Sequence, residues 1–352
     1  MTLAGSSCMF ERDNPSPEIM RELRPPQNEE EPPMTAADER TANRRPKRPI
    51  FRWQIAVVLL ILCGLCWHFF GRTSQPPAGS GPAGPPVPLE PFTHVWSTDQ
   101  TVLLGLGDSV TEGFGASRRH SYFELLIEND DSYCPDMKGR DLKHVFPNLE
   151  FANHAVSYTV SQYHLDKQLP RIKMFSADVK GVVVISSGGN DLIHDYGRTP
   201  PRDGAMYGCT YEQAMQWQTG FRNRLEAIVE GVTEKFPGGC EIFLANVYDP
   251  TDGVGDIENA NLPLPPWRDG LRVLGLFNQV IADVCDSHDN VHLVDMHSHF
   301  LGHGIHCRDK RNRYYREEDP HYWYFYNLED PNDQGYNAIR RLFLIEMTKV
   351  YR

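Results

Sequence analysis

The sequence predicts an α/β fold: a three-layer αβα sandwich around a five-stranded parallel sheet, behind an N-terminal transmembrane helix. Three observations lead there. Short uncharged apolar runs alternate with stretches of helical period from Thr101 onward, the pattern of a parallel sheet covered on both faces. Several of these runs end in Gly-, Asp- and Asn-rich turns, which open α/β sheets place at the ligand-binding edge. Upstream, Trp53 to Phe70 (WQIAVVLLILCGLCWHFF) contains no Asp, Glu, Lys or Arg and is near the short end of what spans a bilayer.

In chain order, residues 1–52 have the composition of a disordered cytoplasmic tail: prolines, paired arginines and Glu29-Glu30-Glu31, without an apolar period. Arg44, Arg45, Lys47, Arg48 and Arg52 then cluster before the apolar run, whereas Arg72 alone follows it closely. The positive-inside tendency puts the N-terminus in the cytoplasm and the C-terminal bulk outside it, with residues 53–70 as the anchor. A signal peptide fits less well, because the run begins deep in the chain and no Ala-x-Ala-like site follows. Residues 71–91, rich in Pro, Gly and Ser, read as a tether. The folded domain is then 92–352.

A net charge of −12, and the absence of a basic stripe, argue against nucleic acid as a partner. Cys134, Cys209, Cys240, Cys285 and Cys307 belong to the domain without zinc-like spacing or evident pairing, so neither a metal nor a cofactor is expected.

Within the domain, Thr101–Leu106 is the first strand, followed by a helix over Arg118–Asn129. Leu149–Val156 is the second strand and Thr159–Phe175 a helix. Gly181–Ile185 (GVVVI) is the third strand, β-branched and uncharged. Tyr211–Phe236 is a helix stopped by Pro237-Gly238-Gly239. Glu241–Val247 is the fourth strand, Asp269–Ser287 a helix, and Val291–Asp295 the fifth strand. The last helix starts at Pro331 or Asn332 and runs to Val350. Between Asp295 and Asp330 lies a long polar, aromatic loop rich in histidine, of the kind that is functional or crosses the active-site edge.

Three strand ends and the last helix start share one pattern. The first strand delivers Gly107-Asp108-Ser109, the second runs into Asn153-His154-Ala155-Val156-Ser157-Tyr158, and the third delivers Gly188-Gly189-Asn190-Asp191. Pro331-Asn332-Asp333-Gln334-Gly335-Tyr336 opens the final helix. In this combination, the chain from Thr101 to its C-terminus resembles the SGNH (GDSL) hydrolases. The resemblance implies a flavodoxin-like fold and hydrolysis of a carboxylic ester through an acyl-enzyme on Ser109. Lipids, short acyl esters and O-acetylated sugars all fall within the family's range. It also implies an oxyanion hole made of the Ser109 N–H, the Asn190 side-chain amide and the N–H of Tyr158, where the family carries glycine. Preorganised donors of this kind suit the charge that develops when a serine attacks a carbonyl.

The family's base is a histidine directly before Pro-Asn, and here that position is Asp330. A carboxylate of ordinary pKa is a poor base for a serine hydroxyl. Two readings follow. His321, nine residues upstream, could fold back as base with Asp330 orienting it. His297 is the second candidate, and His299, His303 and His306 share the loop. Alternatively the base is lost and the chain is a catalytically inactive, membrane-tethered binding module. The loop aromatics Tyr314, Tyr315, Tyr322, Trp323, Tyr324, Phe325 and Tyr326 suit sugar stacking, acyl-chain cover or packing onto the domain equally.

Overall fold

The structure is a computed structural model and describes residues 57–64, 83–194, 205–260, 262–319 and 321–351. Residues 57–64 are helical and exposed; the rest of the Trp53–Phe70 run, the tail and residues 71–82 lie outside the described residues. Among the described residues, no helix is long and apolar enough to cross a membrane.

Strands β1 (Gln100–Gly107), β2 (Leu149–Asn153), β3 (Val179–Ser186), β4 (Cys240–Ala245) and β5 (Val291–Val294) form one sheet in the order β2-β1-β3-β4-β5. All neighbours are parallel. This is the doubly wound order of flavodoxin-like sheets, whose switch point falls between β1 and β3. The helices in chain order are α1 (Ser109–Glu112), α2 (Tyr122–Ile127), α3 (Leu142–Val145), α4 (Ser161–Tyr163), α5 (Gly189–Ile193), α6 (Tyr211–Lys235), α7 (Gly270–Asp286), α8 (Met296–Phe300) and α9 (Asp333–Val350).

Alternation along buried strands feeds two cores. Leu103, Val182, Val184 and Phe243 face α2, α9 and the loop before α9. Val102, Leu104, Val183, Ile185 and Leu244 face α6 and α7. The three layers expected from the sequence are therefore present.

Three local expectations are corrected. The single helix read over Thr159–Phe175 is a broken one: α4 continues as a π turn over His164–Gln168 and ends in a 3-10 turn at Leu169–Arg171. Pro170 lacks the N–H that a continuing helix needs. The helix expected over Arg118–Asn129 shortens to α2, capped by Ser121, whose Oγ accepts the Glu124 N–H at 3.2 Å. Finally, the packed chain begins before residue 92. Ala83 and Val87 are buried in the α9-side core, and Arg140 Nε donates to the Val87 carbonyl at 2.7 Å. Composition suggested a free tether, but two apolar residues among the prolines suffice to dock its end.

Candidate active site

Strand β1 ends at Gly107, with φ of +128°. A side chain there would approach the Ser186 carbonyl to 2.0 Å, so only glycine lets β1 lie against β3 at this point. The next residue, Asp108, caps α1: its Oδ1 accepts the Val110 N–H at 3.1 Å. Ser109 is thereby fixed as the first residue of a one-turn helix at the carboxyl edge of the sheet. The first N–H groups of a helix have no partner within it, and Ser109 is in the first turn of α1.

Asp108 was given no separate role by its motif, yet it anchors a buried chain of hydroxyls. Ser186 Oγ donates to Asp108 Oδ1 at 2.6 Å, Thr111 Oγ1 lies 2.7 Å from Ser186 Oγ, and Tyr122 OH lies 2.7 Å from Thr111 Oγ1. Burial pushes the Asp108 carboxyl up to about 7, against the opposing bonds from Ser186 and Val110.

The loop after β2 is fastened to α1. Asn153 Nδ2 donates to the Thr111 carbonyl at 2.8 Å, and a Glu112 carboxylate oxygen accepts the Ser157 N–H at 2.7 Å. Tyr158 follows with φ of +63°, the left-handed conformation that glycine adopts without cost. Its ring is 75% exposed and meets Phe114 edge-on at 6.0 Å. The backbone angle needed at this position is thus reached by a non-glycine residue.

Asn190 stands in the first turn of α5, and its Nδ2 donates to the Thr159 carbonyl at 3.0 Å. A primary amide carries two N–H donors, so one stays available toward the cleft that Asn190 lines with Ser109. Behind it, His164 bridges Thr159 Oγ1 and Ser187 Oγ, each at 3.0 Å. Burial lowers its pKa to about 3, so it braces this loop as a neutral ring. Sequence reasoning missed His164 because it lay inside an expected helix.

Asp330 is the group that the structure brings to the serine. It is buried, and its nearest influences are the Ser109 hydroxyl and the Asn327 amide. Asn327 Nδ2 donates to Asp330 Oδ2 at 2.7 Å, and Asn327 Oδ1 accepts the Asp330 N–H at 3.2 Å, so this one side chain fastens both ends of Asp330. The contact with Ser109 is looser: Oδ1 has no partner at full hydrogen-bond geometry, although the serine hydroxyl lies close enough to favour the charged carboxylate. Desolvation outweighs both contacts and raises the Asp330 pKa above the ordinary carboxylate value.

His321 is placed elsewhere. Its Nδ1 is paired with Asp319, and its carbonyl accepts from His303 Nδ1 at 2.8 Å. Tyr324 bridges Pro331 in antiparallel fashion, and the Phe325 N–H donates to the Asp330 carbonyl at 2.7 Å. His321 stands four residues before Phe325 along this segment. The contacts described for His321 are thus with Asp319 and His303 rather than with Ser109. His297 bonds the Val247 carbonyl through Nδ1 at 3.1 Å, and His306 bonds Asp256 at 2.9 Å.

The middle of the aromatic loop is interior. Tyr322, Trp323 and Tyr324 are buried, and the His303 ring stacks on Trp323 at 3.4 Å. Tyr326 is exposed, Tyr314 and Tyr315 are half-buried, and Phe325 packs on Phe114.

Among the described residues, no group of three or more His, Cys, Asp or Glu side chains is arranged to hold a metal ion. Cys134, Cys209, Cys240, Cys285 and Cys307 are all buried and unpaired.

A doubly wound sheet that offers a serine, an amide and a buried carboxylate at one edge defines an α/β protein with a hydrolase-type site. More particularly, the chain belongs to the GDSL-like lipase/acylhydrolase family, whose family model matches residues 106–338. Among solved structures, phospholipase A1 from Streptomyces albidoflavus NA297 is 15% identical, with 72% of this chain and 100% of that chain aligned and a TM-score of 0.41. An extracellular lipase from Streptomyces rimosus is 17% identical over 70% of this chain and 99% of its own, with a TM-score of 0.42. An alpha/beta hydrolase enzyme from the metagenome of Lake Arreo, Spain, is 15% identical over 73% and 99%, with a TM-score of 0.43. No curated protein matches the sequence.

Proposed function

We propose that this ester hydrolase works through an acyl-enzyme on Ser109, with Asp330 in place of histidine as the proton acceptor. The observation that carries the reading is the Asp330 carboxylate beside the Ser109 hydroxyl in a desolvated setting. An aspartate of ordinary pKa binds a proton weakly. Burial makes the carboxylate a stronger base, while Asn327 keeps it aimed.

As Ser109 Oγ bonds to the ester carbon, its proton passes to Asp330 and the carbonyl π electrons move onto oxygen. The Ser109 N–H, the second Asn190 N–H and the Tyr158 N–H would hold that oxyanion. Collapse expels the alcohol, which takes the proton from Asp330 and leaves the acyl group on Ser109. Water, deprotonated by the same carboxylate, then releases the acid and restores the serine.

A fluorophosphonate probe tests the nucleophile. Labelling of the purified protein, lost in Ser109→Ala, is the expected result; persistent labelling in the variant places the nucleophile elsewhere. Absence of both labelling and ester turnover would favour the inactive binding module.

The basic cluster before Trp53 supports a further part of the proposal: an N-in membrane anchor with the hydrolase domain outside the cytoplasm. Protease added to intact cells should remove the C-terminal domain and spare an N-terminal tag. Protection of the C-terminus would overturn this topology.

A further inference from the structure

Asp191, the last residue of the Gly188-Gly189-Asn190-Asp191 turn, has no part in the chemistry above, yet its side chain is fully buried in the first turn of α5. A buried carboxylate needs partners, and two other elements supply them. Ser161, the first residue of α4, donates its N–H to Asp191 Oδ2 at 2.8 Å and its hydroxyl to Oδ1. Arg224, midway along α6, donates from Nε to Ser161 Oγ at 2.7 Å and from Nη2 to Asp191 Oδ1 at 3.3 Å. We infer that Arg224 is a positioning residue for the reaction: acting through Asp191 and Ser161, it holds the Asn190 amide where it can meet the oxyanion. The inference rests on the hydrolase reading above and adds a residue which that reading does not use.

Three features carry it. First, α5 has only five residues, too few for its own helical bonds to fix its direction. Second, Asn190 Nδ2 donates to the Thr159 carbonyl, so the aim of the amide depends on the spacing between α5 and the segment that opens α4. Asp191 and Ser161 tie the same two segments one and two residues further along, so the amide bond and the carboxylate clamp close a small ring. Third, Arg224 braces that ring from outside. Its side chain is only 12% exposed, places a cation against the buried carboxylate and spans both clamp residues with one planar group. It stands on α6, a 25-residue helix with a capping box at Thr210 and Gln213, so a long element steadies a short one.

The test compares Arg224→Met with the wild type, using p-nitrophenyl acetate and the purified full chain in detergent micelles. Fluorophosphonate labelling carried to completion counts the competent sites. kcat should fall about ten- to a hundredfold with KM within about twofold, since misplacing a catalytic group by about 1 Å costs that much. Arg224→Lys keeps the charge without the fork, so its kcat should lie between the two. In an Asn190→Ala background, Arg224→Met should lower kcat by no more than about threefold, because the donor it serves is gone. Arg222→Met removes another cation from α6, one paired with Asp283 on α7, and should leave kcat unchanged. A rise in KM with kcat kept, losses at Arg224 and Asn190 that multiply in full, or an equal loss in Arg222→Met overturns the assignment.

Amide hydrogen exchange separates this from failure of the hydrolase reading. In Arg224→Met, exchange should quicken over residues 159–161 and in α5 while α9 keeps its wild-type rates, whereas a general loss of stability quickens all three. If Arg224→Met does not fold, Arg224→Lys carries the same comparison with a smaller shift. Unchanged exchange at the two segments, or uniform quickening, sinks the brace even if Ser109 proves catalytic. Local quickening in a chain whose wild type shows no turnover upholds the brace and sinks the chemistry.

Discussion

Asp330 is buried close enough to Ser109 for the serine hydroxyl to favour its charged form, and Asn327 Nδ2 donates to its Oδ2 at 2.7 Å. The carboxylate enters the site at the position that the family pattern gives to its base, directly before Pro331-Asn332. Replacing imidazole by carboxylate at one position changes what the site needs from its surroundings. A histidine must be oriented and then stabilised as a cation, whereas Asp330 needs desolvation to raise its proton affinity. Burial supplies that.

Turnover should therefore depend on Asp330 rather than on the loop histidines. Asp330→Asn is expected to lower kcat by about a hundredfold or more, in the range typical of a lost general base. His321→Ala should leave turnover within a few-fold. Asp330→His restores the family residue and should retain activity. If His321→Ala abolishes turnover while Asp330→Asn does not, the base has been misassigned.

The pH profile gives an independent check. Asp330 must be charged to accept the serine proton, and its pKa is raised by burial. Activity should accordingly rise with pH along a limb displaced upward from the ordinary carboxylate range, and Asp330→His should replace that limb with one set by imidazole. Asn327→Ala removes one hydrogen bond that favours the charged form, so it should move the wild-type limb to higher pH.

Asn190→Ala is expected to reduce kcat by about a hundredfold with KM little changed, because an oxyanion donor acts on charge that appears only in the transition state. Fluorophosphonate labelling should slow but persist. A change confined to KM would instead make Asn190 a ground-state contact.

The strands were legible because burial on both faces leaves an uncharged, β-branched signature, most clearly over Gly181–Ile185. The candidate nucleophile and amide were legible for a related reason: the turns that expose them require glycine at special backbone angles, as at Gly107 and Gly188. The position of Asp330 was also visible in the sequence, but its contact with Ser109 was not. That contact depends on the Tyr324–Pro331 bridge, a pairing between irregular segments that no periodicity announces. For Trp323 the sequence left sugar stacking, acyl-chain cover and packing onto the domain equally open. Its burial follows from stacking with His303, a contact between residues far apart in sequence.

That interior placement has a measurable cost. Trp323→Ala should destabilise the domain by about 3–5 kcal/mol, the usual penalty for emptying a large aromatic site. Denaturant unfolding would show it, whereas Tyr326→Ala, at an exposed position, should stay within about 0.5 kcal/mol.

The docked segment before residue 92 supports a similar comparison. A chain starting at residue 83 keeps Ala83 and Val87 in the core, and a chain starting at 92 uncovers the surface they occupy. Losing a buried valine contact costs about 1.5–3 kcal/mol. The shorter chain should therefore melt several degrees lower, and equal melting temperatures would return the segment to the role of a passive tether.

Asp108 makes stability depend on pH in a predictable direction. Its carboxyl titrates near 7 in the folded chain against an ordinary 3.8, so the folded state holds a proton that the unfolded state has released. Below about pH 4 both states are protonated and the stabilisation from this group is fully present. Between about pH 4 and 7 it is progressively lost, because each rise in pH favours the unfolded, ionised carboxyl. Asp108→Asn keeps an oxygen to accept from Ser186 and Val110 but cannot ionise. Its advantage over the wild type should be close to zero near pH 4 and grow to a few kcal/mol near pH 8, at about 1.4 kcal/mol per unit of pKa difference. Chemical unfolding at the two pH values measures the difference directly, and a gap that does not widen with pH would mean that Asp108 is already ionised in the folded protein.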